Sequence, residues 1–281
     1  MSQPAVAARP SEAIAPVSNQ PASHPSFWLG VMTLWAREFR GFYRQPARVG
    51  AGLATPLIFW VALGSGFGSS LRTQSGGGYM EFFFPGAVAL VVLFASIFSN
   101  ISIIEDRREG FLLSVLVAPV SRSAMALGKI LGATTIGAVQ GLFFLPLIPL
   151  LGLPLNAMGL PEAGALVLAM AFGLTGLGFF FAWRLNSIQG FHSIMNVVLM
   201  PMWLLAGSLF PIDGASLWMS WLMRLNPLFY GVTGLRRALS PTPVTSGPDQ
   251  ATCWVVLLAF CAATFGIAVW EASRRSPENA S

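Results

Sequence analysis

The residues able to do chemistry are few, and most of them stand together. From residue 105 to residue 129 the chain reads EDRREGFLLSVLVAPVSRSAMALGK. Five of its first six residues (Glu105, Asp106, Arg107, Arg108 and Glu109) are charged. A charge at the centre of a bilayer helix costs about 2.5–3.5 kcal/mol on insertion scales, so this hexad ends one membrane span and is expected in water. A second span begins after Arg122. Between them, residues 110–118 are apolar apart from Ser114 and are stopped by Pro119, which biases the preceding residue away from helix. That stretch is far short of the roughly 20 residues a crossing helix needs. An apolar helix of two turns at a membrane surface must be buried by headgroups or by another protein. Gly110, Leu112, Leu116 and Pro119 therefore read as parts of a docking element flanked by charge.

Other chemistry is sparse. Lys129 follows Gly128, but Ile130 stands where a phosphate-binding loop needs Ser or Thr, and no glycine lies five residues before Gly128. Any ATP used must be bound elsewhere. His192, near Asn186, Ser187 and Gln189, has no second histidine, cysteine or carboxylate at ligand spacing, which argues against a metal or a proton relay. No H-E-x-x-H occurs and no aspartate pair falls within an apolar run, so an intramembrane protease lacks support. Nor does any expected span carry an acid at its centre, which weakens an ion-coupled secondary transporter. Cys253 and Cys261 lie eight residues apart in one apolar run. That is about 12 Å along a helix, beyond disulfide reach.

The elements that must position the charged loop are those of a membrane protein. Of 281 residues, 54% are hydrophobic and only 10% are charged, against about a quarter in soluble domains. The net charge of +5 belongs to arginines beside apolar runs, which points to a membrane surface and not to nucleic acid. Residues 1–25, rich in Pro, Ala, Ser and Gln, read as a disordered tail without the apolar region of a signal peptide. Residues 26–48 read as an interfacial helix: Trp28, Val31, Met32, Trp35, Phe39, Phe42 and Tyr43 fall on one side, and Arg37, Arg40, Arg44 and Arg48 on the other.

Six spans are expected near residues 49–67, 82–104, 125–151, 163–183, 188–210 and 253–270. Arg107, Arg108, Arg122, Lys129, Arg184, Arg274 and Arg275 then share one side with the N-terminal arginines, and Arg72, Arg224, Arg236 and Arg237 lie on the other. The positive-inside rule makes the first side cytoplasmic and puts both termini there, residues 272–281 forming a short tail. Within residues 211–250 two apolar pieces flank Arg224, Asn226 and Pro227, and neither is long enough to span. They read as short re-entrant or interfacial helices on the outer face, bordering the exit of a pathway. Gly128, Gly132, Gly137 and Gly141, with Gly173, Gly176 and Gly178, serve either a dimer seam or, the reading favoured here, close packing within the chain.

The order of these features resembles the membrane subunit of type-2 ABC transporters. The resemblance lies in a span, then E-x-x-x-E-G, a short apolar helix, Pro-Val-Ser-Arg, Gly-Lys opening the next span, and an Asn-Pro segment before the last. It covers residues 26–271. It implies an all-α polytopic membrane protein of six transmembrane helices, residues 49–271, with an N-terminal interfacial helix, a cytoplasmic coupling helix and outer re-entrant helices. It also implies that Glu105 to Arg122 touch an ATP-binding cassette ATPase present in two copies. That partner holds ATP and magnesium, and this chain has no cofactor and no catalysis of its own. A second permease, as a homodimer, would complete an exporter of amphipathic, lipid-linked or glycan substrates in the cell (inner) membrane. The alternatives are a membrane scaffold or assembly factor that docks a cytosolic partner, and a secondary transporter.

Overall fold

The computed structural model describes residues 26–44, 46–67, 78–111, 115, 120–150 and 154–274. Leu112, Leu116 and Pro119 lie outside the described residues, as do residues 1–25 and 275–281. Every regular element among the described residues is helical. In chain order these are α1 (Phe27–Tyr43), α2 (Pro46–Phe67), α3 (Tyr79–Phe98), α4 (Ile101–Arg108), α5 (Arg122–Phe144), α6 (Leu147–Leu150), α7 (Leu160–Arg184), α8 (Ile188–Leu204), α9 (Leu217–Leu225), α10 (Pro227–Leu239) and α11 (Gln250–Arg274).

Among the described residues, four stretches are long and apolar enough to cross a membrane: Tyr79–Arg108, Arg122–Leu150, Ala157–Arg184 and Gln250–Arg274. Helix α3 is the axis of the bundle. Its sequence is apolar all round, and it is accordingly buried all round, packing against α2, α5, α7, α8 and α10. The two-residue break at Ser99 and Asn100 separates it from α4, and the Asn100 amide donates back to the Ser96 carbonyl at 2.9 Å. Side-chain caps mark several helix starts among the described residues. Ser121 accepts from the Ala124 amide before α5, Ser187 from the Gly190 amide before α8, and Asn226 from the Leu228 amide before α10.

The small residues pack within the chain. A Cβ on Gly128 would lie 2.9 Å from the Leu34 Cβ, and one on Gly132 would lie 2.5 Å from the Glu38 Cβ, so both glycines let α1 lie directly on α5. Gly173 and Gly176 of α7 meet Phe260 and Thr264 of α11 in the same way.

The structure adds detail to three expectations. The buried edge of α1 is Val31, Leu34 and Glu38, whereas Trp28, Met32 and Phe39 remain exposed. The sequence pattern groups all the large apolar residues on one face, but only the edge opposite the α5 glycines can approach a neighbour. The third apolar stretch is not one helix: α5 ends at Phe144 and α6 restarts at Leu147, because Pro146 between them cannot donate the amide hydrogen bond that would continue the helix. Of the two short pieces in residues 211–250, α9 lies outside with Leu217, Trp218, Trp221 and Leu225 exposed, but α10 is inserted among α3, α7 and α11. Its Leu228, Phe229, Val232 and Leu235 are buried, and Arg236 donates to the carbonyls of Gly207 (2.8 Å) and Phe82 (3.3 Å).

Candidate functional site

The charged hexad does not all face water. Asp106 is buried, and three helices converge on it. Arg37 of α1 grips it with two hydrogen bonds, Nη1 to Oδ2 at 2.8 Å and Nη2 to Oδ1 at 2.5 Å. Lys129 of α5, itself only 3% exposed, donates to Asp106 and to Glu38 of α1. Two cations and two carboxylates thus close a compact cluster at the junction of α1, α4 and α5. Fork geometry makes the Arg37–Asp106 link directional as well as strong. The hydrogen bond to Asp106 raises the Arg37 guanidinium above its ordinary pKa, and the Phe111 ring lies 3.6 Å beneath it.

The remaining cations of the loop tie helix ends together. Arg107 donates to the Trp183 carbonyl at 2.7 Å and to Asn186 Oδ1 at 2.9 Å, and Arg108 donates to the Asn186 carbonyl at 3.1 Å. Arg122 reaches the carbonyls of Ala272 (3.1 Å) and Ser273 (3.3 Å) at the end of α11. Arg184 pairs with Glu271, at 3.0 and 3.1 Å. The bonds to the Trp183, Ala272 and Ser273 carbonyls satisfy groups that a helix terminus leaves without partners in its own helix. Gly110, with φ of 75°, turns the chain out of α4 in a conformation that disfavours other residues. Arg40 and Arg44 stay exposed on α1, as the sequence pattern requires. Arg224 is also exposed, whereas Asn226 holds the Met202 carbonyl at 2.6 Å beside Pro227.

Beside the cluster lies a chamber of about 540 Å³ between α2, α3 and α8. Phe59, Phe94, Phe98 and Trp203 supply aromatic walls, and Glu105, Gln140 and His192 supply polar groups. Its size falls within the roughly 300–1,000 Å³ of small-molecule sites. The His192 ring lies 4.8 Å from that of Phe98.

Sequence reasoning missed Glu38 and put Lys129 among the solvent-facing charges. The available signal was a lone lysine within the apolar run MALGKILG, since a charge at such a position needs a partner.

A family model of the ABC-2 type transporter matches residues 30–239. The chain belongs to the ABC-2 type transporter family and is an ABC transporter permease, an integral membrane protein of a family that generally pairs with an ATPase subunit. It is 27% identical to nodulation protein J of Neorhizobium galegae over 252 residues, which are 84% of this chain and 92% of that protein. It is 25% identical to the inner membrane transport permease YadH of Escherichia coli (strain K12), over 75% of this chain and 82% of the relative. A putative transport permease, ycf38 of Cyanophora paradoxa, is 25% identical over 73% and 72% of the two chains.

Proposed function

We propose that this permease exports an amphipathic, lipid-linked or glycan substrate, using ATP hydrolysed on two copies of a separate ATPase that also holds the magnesium. The observation that carries this reading is the Arg37–Asp106–Lys129–Glu38 cluster, which joins α1 to the ends of α4 and α5 on either side of the docking loop. A displacement of the loop by a partner would then move whole helices, because packed helices shift as bodies and do not deform continuously. Residues 105–122 are the coupling element, in which charge sets orientation and Leu112 and Leu116 supply apolar affinity.

Helices α2 and α8 complete six spans. At 22 and 17 residues they extend about 33 and 26 Å, close to the roughly 30 Å of a bilayer core. The arginine-rich end faces the cytoplasm, with residues 1–25 and 272–281 as cytoplasmic tails, residues 26–48 interfacial and residues 49–271 the permease domain. A second copy of the chain completes the pathway. The inner membrane is the location that the name of the Escherichia coli relative suggests.

The test is co-purification of the ATPase alongside transport. Leu112→Ser with Leu116→Ser should release the ATPase while the permease still accumulates in the membrane; retention at wild-type level would refute the coupling role. Cysteines placed at Ser246 and Ser276 test the topology. Impermeant reagent should label only the first in intact cells, and labelling of both would overturn six spans.

A further inference from the structure

The chamber adjoins a cleft of about 200 Å³ at the charged end, and Phe42, Ser99 and Glu105 line both spaces. Four carboxylates line the cleft: Glu38, Glu105, Asp106 and Glu109. Arg37 and Lys129 neutralise two of them through Asp106 and Glu38. Glu105 and Glu109 have no ion pair among the described residues, and Arg40 and Arg44 line neither space. Among the described residues the way into the chamber therefore carries two carboxylates in excess, and a cleft lined by one sign of charge concentrates the opposite sign.

The chamber walls point the same way. The Gln140 side-chain oxygen is buried away from the cavity surface and stays out of reach of a ligand. Ser99 spends its proton on the Ala95 carbonyl at 2.6 Å, so it offers lone pairs. The Trp203 indole N–H is committed to the Gly86 carbonyl at 2.9 Å and is not available as a donor. Aromatic faces attract cations through their quadrupole. His192, exposed on the open side, is the other titratable group on the wall. Glu105, Ser99 and the rings thus favour a ligand that is positive or donates hydrogen bonds and has an apolar body.

We propose that the chamber binds an amphipathic organic cation, with its positive group at Glu105 and its apolar body against Phe98 and Phe94. This rests on the permease reading above and names the chemistry of its cargo. It also gives Glu105 a recognition role distinct from that of the docking loop.

The test uses two probes of one shape and opposite charge, tetraphenylphosphonium and tetraphenylborate, with the purified full-length chain in nanodiscs of zwitterionic lipid. After subtraction of empty-nanodisc binding, the phosphonium should bind saturably and the borate should not. Glu105→Gln should weaken phosphonium binding about tenfold, the size of one desolvated charge contact, and Glu105→Asp should largely retain it. Equal binding of both probes, or wild-type affinity in Glu105→Gln, overturns the proposal. If Glu105→Gln does not accumulate, the two-probe comparison on the wild-type chain decides alone. ATP-driven transport of another cargo without phosphonium binding sinks this inference and leaves the permease reading. Glu105-dependent binding by a chain that never associates with an ATPase does the reverse.

Discussion

Glu105 and Asp106 are neighbours on one short helix with opposite surroundings. Asp106 is buried and holds Arg37 and Lys129, whereas Glu105 is half-buried on the chamber wall without an ion pair among the described residues. Successive helical residues point about 100° apart, so one turn of α4 can face α1 and α5 with one side chain and the chamber with the next. The difference separates two uses of a carboxylate. One that is surrounded by fixed cations fastens helices, and its removal is felt as lost stability. One that is left with unused acceptor capacity can interact with something that arrives.

This comparison breaks or sharpens under substitution. The largest effect is expected for Lys129→Met, which leaves buried Glu38 with only the longer Arg37 contact at 3.8 Å; breaking a buried pair costs about 3–5 kcal/mol. Thermal unfolding of the purified chain should show a large drop, against a change within about 0.5 kcal/mol for Glu105→Gln, which no fixed partner misses. Equal losses for the two would erase the distinction. Next comes Gly132→Leu, whose side chain must displace Glu38 and lift α1 from α5; overpacking of this kind costs about 1–3 kcal/mol. The same unfolding measurement checks it, and a stability unchanged from wild type would show that α1 does not need this close approach.

Arg236→Met, away from the cluster, should cost about 1–3 kcal/mol, because the carbonyls of Phe82 and Gly207 lose their shared donor. It should leave ATPase co-purification intact, which distinguishes the fastening of α10 from the fastening at the α1–α4–α5 junction. The smallest stability effect belongs to the exposed arginines. Arg40→Gln with Arg44→Gln should stay within about 0.5 kcal/mol and in the membrane while weakening transport, since interfacial charge sets position and not insertion. Adding Arg37→Gln to that pair should produce a distinct further loss of stability, because Arg37 grips Asp106. Three equivalent arginines would place Arg37 on the solvent face after all.

Much was legible in advance. The membrane class follows from an apolar composition and from runs that water cannot solvate, and the end of each run follows from charge, proline or Asn-Pro. The charged loop could be located because a charge hexad beside an apolar stretch too short to span is a local contradiction that one chain segment must resolve. Close packing through glycine was likewise readable as one of two alternatives, and α1 on α5 and α7 on α11 realise it within the chain.

What the sequence alone could not assign is which charges meet. Glu38, Asp106 and Lys129 are separated by up to 91 residues, and their pairing depends on how α1 lies across α5. A helical wheel gives directions around one axis, but it carries no information on the distance to a neighbour. For that reason Arg37 looked equivalent to Arg40 and Arg44, although only Arg37 comes within reach of a buried carboxylate. The chamber has the same origin, because its walls come from α1, α2, α3, α4, α5 and α8 and its volume is what their packing leaves unfilled. Composition and spacing determined the kind of protein and the place of its charged loop. The tertiary structure decided which of those charges hold the helices together and which one faces the empty space, because desolvation and pairing are properties of surroundings and not of residue type.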